Sequence, residues 1–298
     1  MIRLQFLGTS SASASSERCY PACLFQIEKK RILVDCGEGT RRQLMQLSGS
    51  FRGDLHVFLT HEHADHILGI PGLVNSWLLD GGPTMITIHA PSAAYRVVLL
   101  LLQAFEKQYD KLKIEMVQPG LVFADKDIIC RSFSTSHTPS SVGYTFESPV
   151  KRHFLAEVAE QLGVPSTQRK SLQEGQSIKL ENGTIVSPEQ VLSKEEKGIQ
   201  IVFLGDATYN LELVEICRGI DALVVNSTYS EGDRELAMRH HHLTARDAGD
   251  LARLAQPKQL ILTHISARYN QEQLVREAQD LFPNAAAAQD FSIFEVGR

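Results

Sequence analysis

Apolar residues recur along the chain in short runs, and many of these runs end at a glycine, an aspartate or a histidine. Runs of this kind are typical of buried β-strands. Stretches with helical periodicity lie between them, at residues 95–109 and 244–255, and Thr244 and Asp247 form a capping box at the start of the second. The alternation predicts an α/β protein. The predicted strands are residues 3–8, 31–37, 54–60, 85–89, 199–206, 222–226 and 259–264.

The segment from residue 148 to residue 197 has a different pattern. It contains an amphipathic stretch at 154–162, a break at Val164-Pro165 and a hairpin signal centred on Asn182-Gly183. We interpret this segment as an inserted arm that projects from a single domain spanning residues 1–298.

Polar side chains stand where several of the predicted strands end. Asp35, His61, Asp206 and His264 each follow an apolar run. Because a sheet holds the loops at its strand ends rigidly, residues at these positions are well placed to form a functional site.

Composition and charge narrow the class of protein. Hydrophobic residues make up 43% of the 298 positions, which is ordinary for a globular chain, and the five cysteines are irregularly spaced, which indicates a reducing compartment. The sequence has neither a signal-peptide pattern nor about 18 consecutive apolar residues, so we expect a cytoplasmic protein without a membrane segment. With a formal net charge of −5, a nucleic acid would need a local basic patch, metal ions or a partner subunit to hold it.

Potential metal-binding side chains are most concentrated directly after the predicted strand at 54–60. His61, His63, Asp65 and His66 occupy six positions, and imidazole and carboxylate are the ligands that zinc takes in proteins. The spacing suits two adjacent divalent ions better than one, so further ligands must come from elsewhere. The candidates are His137, Asp206 and His264. Each alone would more often be structural, but the cluster favours all three as ligands.

The motif His61-x-His63-x-Asp65-His66, followed by Gly69-x-Pro71-Gly72, resembles the metallo-β-lactamase superfamily. Within it the chain resembles ribonuclease Z, the endonuclease that matures transfer RNA 3′ ends, over nearly its whole length. The resemblance implies a four-layer αββα sandwich with an inserted flexible arm. The stretches that carry the resemblance to ribonuclease Z are residues 6–10, 34–40, 262–269 and 290–291.

The resemblance also implies roles for individual residues and a reaction. Two Zn²⁺ ions, or Mn²⁺, would stand side by side, and a hydroxide held between them would attack the phosphorus. Asp65 would also act as general base, and Asp35 would orient a ligating histidine. Precursor tRNA would be cut on the 3′ side of the discriminator nucleotide, leaving a 3′-hydroxyl. The implied ligands are His61, His63 and His137 for one ion, Asp65, His66 and His264 for the other, and Asp206 between them.

One departure from the family pattern concerns the leaving group. His242 falls where the family has a histidine that helps to protonate the leaving 3′ oxygen, and a glutamate usually supports that histidine. This chain has Asn226-Ser227-Thr228 at the glutamate stretch. An asparagine that accepted a hydrogen bond from His242 would carry no charge, so it would stabilise an imidazolium less well.

A second departure concerns the arm, which in the family clamps transfer RNA. Residues 151–197 contain seven Lys or Arg and seven Glu, so the arm is not net basic. The pairs Lys151-Arg152 and Arg169-Lys170 could contact phosphates, whereas a solvated hairpin is the alternative. The family is commonly a homodimer in which one subunit's arm presents precursor tRNA to the other's site.

Two other functions fit the sequence less fully. One is a dinuclear hydrolase of small phosphodiesters, aryl sulfates or lactones, which the neutral arm and Asn226 favour. The other is a catalytically silent RNA-binding or scaffold protein, which the presence of all seven candidate ligands disfavours.

Overall fold

The computed structural model describes residues 1–28, 30–47, 53–79, 84–103, 110–150, 152–195 and 197–297. The chain divides into two compact units, a larger one formed by Met1–Glu147 with Ile199–Arg298 and a smaller one formed by Ser148–Gly198. The smaller unit nearly coincides with the segment that the sequence distinguishes at 148–197. None of the helices in the described ranges is both long and apolar enough to cross a membrane.

Two seven-stranded sheets form the larger unit. The first has the strand order β16-β1-β2-β3-β4-β5-β6, with parallel pairing from β3 to β6 and antiparallel pairing elsewhere. Its strands are β1 (Ile2–Gly8), β2 (Ala22–Ile27), β3 (Lys30–Val34), β4 (Leu55–Phe58), β5 (Ile86–Pro91), β6 (Leu112–Val117) and β16 (Ile293–Val296).

The second sheet has the order β15-β14-β13-β12-β9-β8-β7, with parallel pairing from β12 to β15 and antiparallel pairing elsewhere. Its strands are β7 (Gly120–Ala124), β8 (Ile129–Ser134), β9 (Val142–Glu147), β12 (Gln200–Phe203), β13 (Ala222–Asn226), β14 (Leu260–Thr263) and β15 (Ala285–Ala287).

Helices cover the outer face of each sheet in the larger unit. The helix predicted at 244–255 is confirmed, and both hydrogen bonds of the Thr244–Asp247 capping box are formed. The helix predicted at 95–109 is described as far as Gln103, and the rest of that prediction lies outside the described residues. The helices are α1 (Thr40–Met45), α2 (Ala64–Ile67), α3 (Ile70–Leu79), α4 (Ser92–Gln103), α8 (Glu212–Ile216), α9 (Arg234–Arg239), α10 (Ala245–Ala255) and α11 (Gln271–Gln279).

The larger unit has three apolar layers, one between the sheets and one beneath each set of helices. Along β13, Ala222 and Val224 join the layer between the sheets, while Leu223 and Val225 pack under the helices. Successive side chains of a strand point to opposite faces, so a strand covered on both sides is apolar throughout. The continuous apolar runs in the sequence reflect this double burial.

The smaller unit has its own core. Its hairpin signal is realised as two short antiparallel strands, and its amphipathic stretch as a helix beginning at Ala156. Leu172, Val186 and Val191 are completely buried within it. Its elements are α5 (Ala156–Gln161), α6 (Arg169–Gln173), β10 (Ile178–Lys179), β11 (Ile185–Val186) and α7 (Pro188–Val191).

Candidate metal centre

The candidate centre lies where strands of both sheets end. In the first sheet, β3 leads into Asp35 and β4 leads into the stretch that begins at His61. In the second sheet, β12 and β14 run parallel on either side of β13 and are followed by Asp206 and His264. Because parallel strands end at the same edge, residues distant in sequence meet there.

The local fold behind β4 explains the spacing of the histidine cluster. His63 is the N-cap of α2, a single turn whose residues include Asp65 and His66. A side chain at Gly69 would not fit, because its Cβ would lie 2.0 Å from the carbonyl oxygen of Gly37. Glycine therefore lets the chain after α2 pack closely against the chain that follows β3.

One group of donor atoms comprises nitrogens of His61, His63 and His137. His63 Nδ1 lies 2.9 Å from His61 Nε2 and 3.2 Å from His137 Nε2. Asp206 Oδ2 lies 3.5 Å from His61 Nε2 and 3.9 Å from His137 Nε2. His63 is exposed, whereas the other three side chains are buried.

A second group comprises Asp65, His66 and His264. His264 Nε2 lies 3.2 Å from His66 Nε2 and 3.3 Å from Asp65 Oδ2. Asp206 Oδ2 lies 3.3 Å from His66 Nε2 and therefore faces both groups. The structure thus brings together all seven residues that the sequence singles out as ligands.

These separations fit metal coordination. Two ligands of a tetrahedral zinc ion, each about 2.0–2.1 Å from the metal, lie roughly 3.4 Å apart. The closest contacts within the two groups span 2.9 to 3.3 Å. Imidazole lone pairs that face one another at such distances repel, and a cation between them removes the repulsion.

In four of the five imidazoles of these groups, the ring nitrogen that faces away from the centre, here called the outward nitrogen, lies within hydrogen-bond distance of an oxygen. Each such nitrogen can donate its proton outward, which leaves the lone pair of the inward nitrogen available to a metal. His63 differs, since its Nδ1 is the atom that faces the centre. The outward contacts are His61 to Thr60 Oγ1 (3.0 Å), His66 to Asp35 Oδ2 (2.8 Å), His137 to the His241 carbonyl (2.9 Å) and His264 to Thr228 Oγ1 (2.8 Å).

At His61, His137 and Asp206 the electrostatics favour the protonation state that ligands need. Burial lowers the pKa of His137 to about 4 and that of His61 well below its usual range. Burial also raises the pKa of Asp206, but the imidazoles of His264 and His242 outweigh it and hold the pKa low. At neutral pH these two histidines are neutral and the aspartate is ionised, as metal binding requires.

His66 lies in a strongly negative environment. Burial lowers its pKa, but the carboxylates of Asp35 and Asp65 outweigh burial and raise the pKa well above its usual value. At Asp65 burial raises the pKa of the carboxylate. The imidazoles of His66 and His264 outweigh burial, so the pKa is lowered. Buried carboxylates of this kind attract a cation.

Left-handed backbone is concentrated around the centre. Asp35, Ser136, His241 and His264 all have φ between +57° and +58°. Such a conformation costs a non-glycine residue about 1 kcal/mol or more, and it is typical of functional sites. At His241 it accompanies the carbonyl contact to His137.

His242 lies beside the donor atoms, with its side chain 14% exposed. Its Nδ1 is 3.3 Å from Asp206 Oδ1 and 3.4 Å from Thr228 Oγ1. The sequence suggests Asn226 as its partner, but the Asn226 amide donates to Asp206 Oδ1 over 3.1 Å. Sequence reasoning also missed Thr60, Thr228 and the His241 carbonyl, because nothing in the local pattern marks them as partners of the histidines.

Comparison with known proteins identifies the fold and the family. Residues 30–265 match the β-lactamase superfamily domain. The chain is 36% identical to ribonuclease Z of Bradyrhizobium diazoefficiens over 296 residues, which is 98% of each chain.

Two solved structures are similar in fold. The metallo-β-lactamase fold protein YhfI of Bacillus subtilis matches with a TM-score of 0.71 at 16% identity over 99% of both chains. The short form of human tRNase Z matches with a TM-score of 0.68 at 20% identity, over 99% of this chain and 100% of that one. The predicted metallo-β-lactamase fold is thereby confirmed, and together with the sequence comparison it establishes that the chain belongs to the ribonuclease Z family of the β-lactamase superfamily.

Proposed function

We propose that this protein is a metal-dependent endoribonuclease that cleaves precursor tRNA on the 3′ side of the discriminator nucleotide and leaves a 3′-hydroxyl. Its place in the ribonuclease Z family supports this activity, and the fold is shared with human tRNase Z. The observation that carries the proposal is the convergence of six donor side chains around Asp206 Oδ2, which faces both groups.

We propose that the two groups bind two Zn²⁺ ions, or Mn²⁺, with Asp206 between them. When bound, the ions would supply Lewis acidity at the phosphodiester and a nucleophile from water at neutral pH. The protein fixes the donor atoms through the outward hydrogen bonds of the imidazoles. The proposed ligands are His61, His63 and His137 in one group and Asp65, His66 and His264 in the other.

Asp65 has a second proposed role as proton acceptor. Its carboxylate is 11% exposed, so it can meet water and substrate, and its lowered pKa keeps it ionised. It lies at the edge of the centre, with Oδ2 at 3.5 Å from His66 Nε2. From this position it would take a proton from the attacking water.

His242 is the proposed proton donor to the leaving 3′ oxygen. Asp206 Oδ1 and Thr228 Oγ1 both face its Nδ1, so the ring is oriented with Nε2 available to the substrate. An imidazole held in this way can hand a proton to an oxygen that develops negative charge as the bond breaks.

The smaller unit is the proposed arm for transfer RNA. Several of its basic side chains are already paired with glutamates, including Arg169 with Glu160 at 3.2 Å and Lys170 with Glu174 at 3.7 Å. Exposed pairs of this kind are weak, so phosphates could displace the glutamates, although one arm alone would bind weakly. We therefore propose a homodimer in which one subunit's arm presents RNA to the partner's site.

We also propose that the protein acts in the cytoplasm. All five cysteines carry unpaired thiols, which suits a reducing compartment. Precursor tRNA as substrate agrees with this location.

The test is cleavage of a 3′-extended precursor tRNA by the purified protein with added Zn²⁺ or Mn²⁺, with Asp65→Ala as the inactive control. We expect a single cut after the discriminator nucleotide, which the variant loses while it still binds RNA. Hydrolysis of bis(p-nitrophenyl) phosphate without RNA cleavage would instead assign a small-molecule hydrolase. RNA binding without metal or hydrolysis would indicate a silent binding protein.

A further inference from the structure

Asn226 makes a buried hydrogen bond to a proposed metal ligand. It closes β13, and both Asn226 and Asp206 are only 2% exposed. The Asn226 amide donates from Nδ2 to Asp206 Oδ1 over 3.1 Å. Removing one partner of a buried hydrogen bond leaves an unsatisfied polar group, which costs free energy. The contact between Asn226 and Asp206 is therefore stabilising.

The two oxygens of Asp206 face different surroundings. Oδ2 points to the inward nitrogens of His61 and His66, at 3.5 and 3.3 Å. Oδ1 receives the Asn226 amide and lies 3.4 Å from the outward Nδ1 of His264. Rotation of the carboxylate about its last bond would exchange these environments, and the amide contact opposes that rotation.

We propose that Asn226 is a positioning residue for Asp206, which turns Oδ2 toward both groups of donors and thereby increases the affinity for metal ions. This inference builds on the metal centre in the proposed function. It assigns Asn226 a different role from support of His242, because the side chain of Asn226 donates to Asp206. A carboxylate at position 226 could not donate, and it would place a second negative charge against a buried aspartate.

The first test measures Zn²⁺ retention in wild type, Asn226→Ala and Ser227→Ala by competition with a chelator. We expect Asn226→Ala to bind zinc about 10- to 100-fold more weakly, the usual effect of removing a residue that orients a ligand. Ser227→Ala is the matched control, because Ser227 is the next residue, is completely buried and has a hydroxyl without a hydrogen-bond partner among the described residues. It should retain zinc like wild type.

A second comparison separates action through Asp206 from action through His242. The loss of zinc affinity in Asn226→Ala should persist when His242→Ala is already present, because His242 lies outside the proposed ligand set. An unchanged zinc affinity in Asn226→Ala, or a loss that vanishes in the His242→Ala background, would overturn the proposal.

Two precautions keep the result decisive. Circular dichroism of the metal-free proteins establishes that each variant is folded, and Asn226→Ser replaces Asn226→Ala if the latter does not fold. The serine hydroxyl is too short to reach Asp206, so the same 10- to 100-fold loss is expected. Since zinc binding is measured without RNA, the outcome is independent of whether the protein cleaves precursor tRNA.

Discussion

His66 Nδ1 donates a hydrogen bond to Asp35 Oδ2 over 2.8 Å, and both residues are completely buried. Asp35 also accepts from the Thr60 amide at 2.8 Å and from the Thr60 hydroxyl at 3.0 Å. Three donors therefore fix the carboxylate, and the carboxylate fixes the imidazole. The inward nitrogen of His66, on α2, is therefore held in place by a residue that directly follows β3.

We expect Asp35→Asn to weaken metal binding about 10- to 100-fold, because an amide is a weaker acceptor and carries no charge to balance the centre. Chelator competition with Zn²⁺ measures the effect. Asp280→Asn, at an exposed position after α11, is the control and should behave like wild type. Equal zinc affinity in the Asp35 and Asp280 variants would show that Asp35 serves folding alone.

The His242→Ala substitution should lower kcat for cleavage of precursor tRNA about 100- to 10,000-fold, the range expected when a general acid is lost. The metal content should stay at the wild-type value. His240→Ala provides a control of the same residue type at an exposed position two residues earlier. Because His242 also lies within reach of His137 and Asp206, a loss of bound metal in His242→Ala would instead identify it as a ligand.

Ser136→Gly should raise the free energy of unfolding by about 0.5–1 kcal/mol. Ser136 has φ of +57°, which glycine adopts without strain, and part of this gain is offset by the greater flexibility of glycine in the unfolded chain. Urea unfolding monitored by circular dichroism measures the change. Ser134→Gly, in the exposed last residue of β8, should lower stability by about 0.5–1 kcal/mol, and stabilisation in both variants would refute the conformational explanation.

Stability should fall on acidification partly because of two neighbouring histidines, the half-buried His56 on β4 and the buried His89 on β5. His56 Nδ1 lies 3.0 Å from His89 Nε2, and the His89 ring stacks on Phe58 with centroids 4.4 Å apart. Burial, reinforced by His56, lowers the pKa of His89 to about 4, although Glu115 opposes the shift. An unfolded chain binds this proton more readily, near pH 6.5, so the stability present at neutral pH is lost as the pH falls from about 6.5 to 4.

Substitution of His89 by leucine should remove this contribution, which amounts to about 3 kcal/mol across that pH range. The free energy of unfolding, measured at pH 7 and pH 4 for wild type and His89→Leu, gives the difference. His240→Leu serves as the exposed control and should keep the wild-type pH dependence. An identical loss of stability in wild type and His89→Leu would assign the acid sensitivity to other groups.

The sequence predicts which side chains come together at the candidate centre, because strand ends carry a local signal. Asp35 and His61 each stand behind an apolar run, and the ends of adjacent parallel strands such as β3 and β4 lie together in a sheet. The capping box at Thr244 is equally local, since it depends on residues three positions apart. These features follow from periodicity and residue type.

The hydrogen-bond partners of these side chains could not be predicted in the same way. The contact of Thr228 with His264 and that of Asn226 with Asp206 depend on the register of β13 against its neighbours and on side-chain rotamers. Strand boundaries also differ from the prediction: the sequence predicts a strand to residue 37, but β3 ends at Val34 because Asp35 adopts a left-handed conformation. Contacts between residues distant in sequence produce no periodic pattern that a single sequence would show.

The donor atoms are divided between the two sheets, and this division links assembly of the chain to its activity. The chain behind the first sheet carries four of them and the second sheet supplies His137, Asp206 and His264. A nascent chain that has formed only one sheet lacks a complete set of donors for either group. In the proposed centre, metal binding would therefore require both sheets to be docked before the chain could cut RNA.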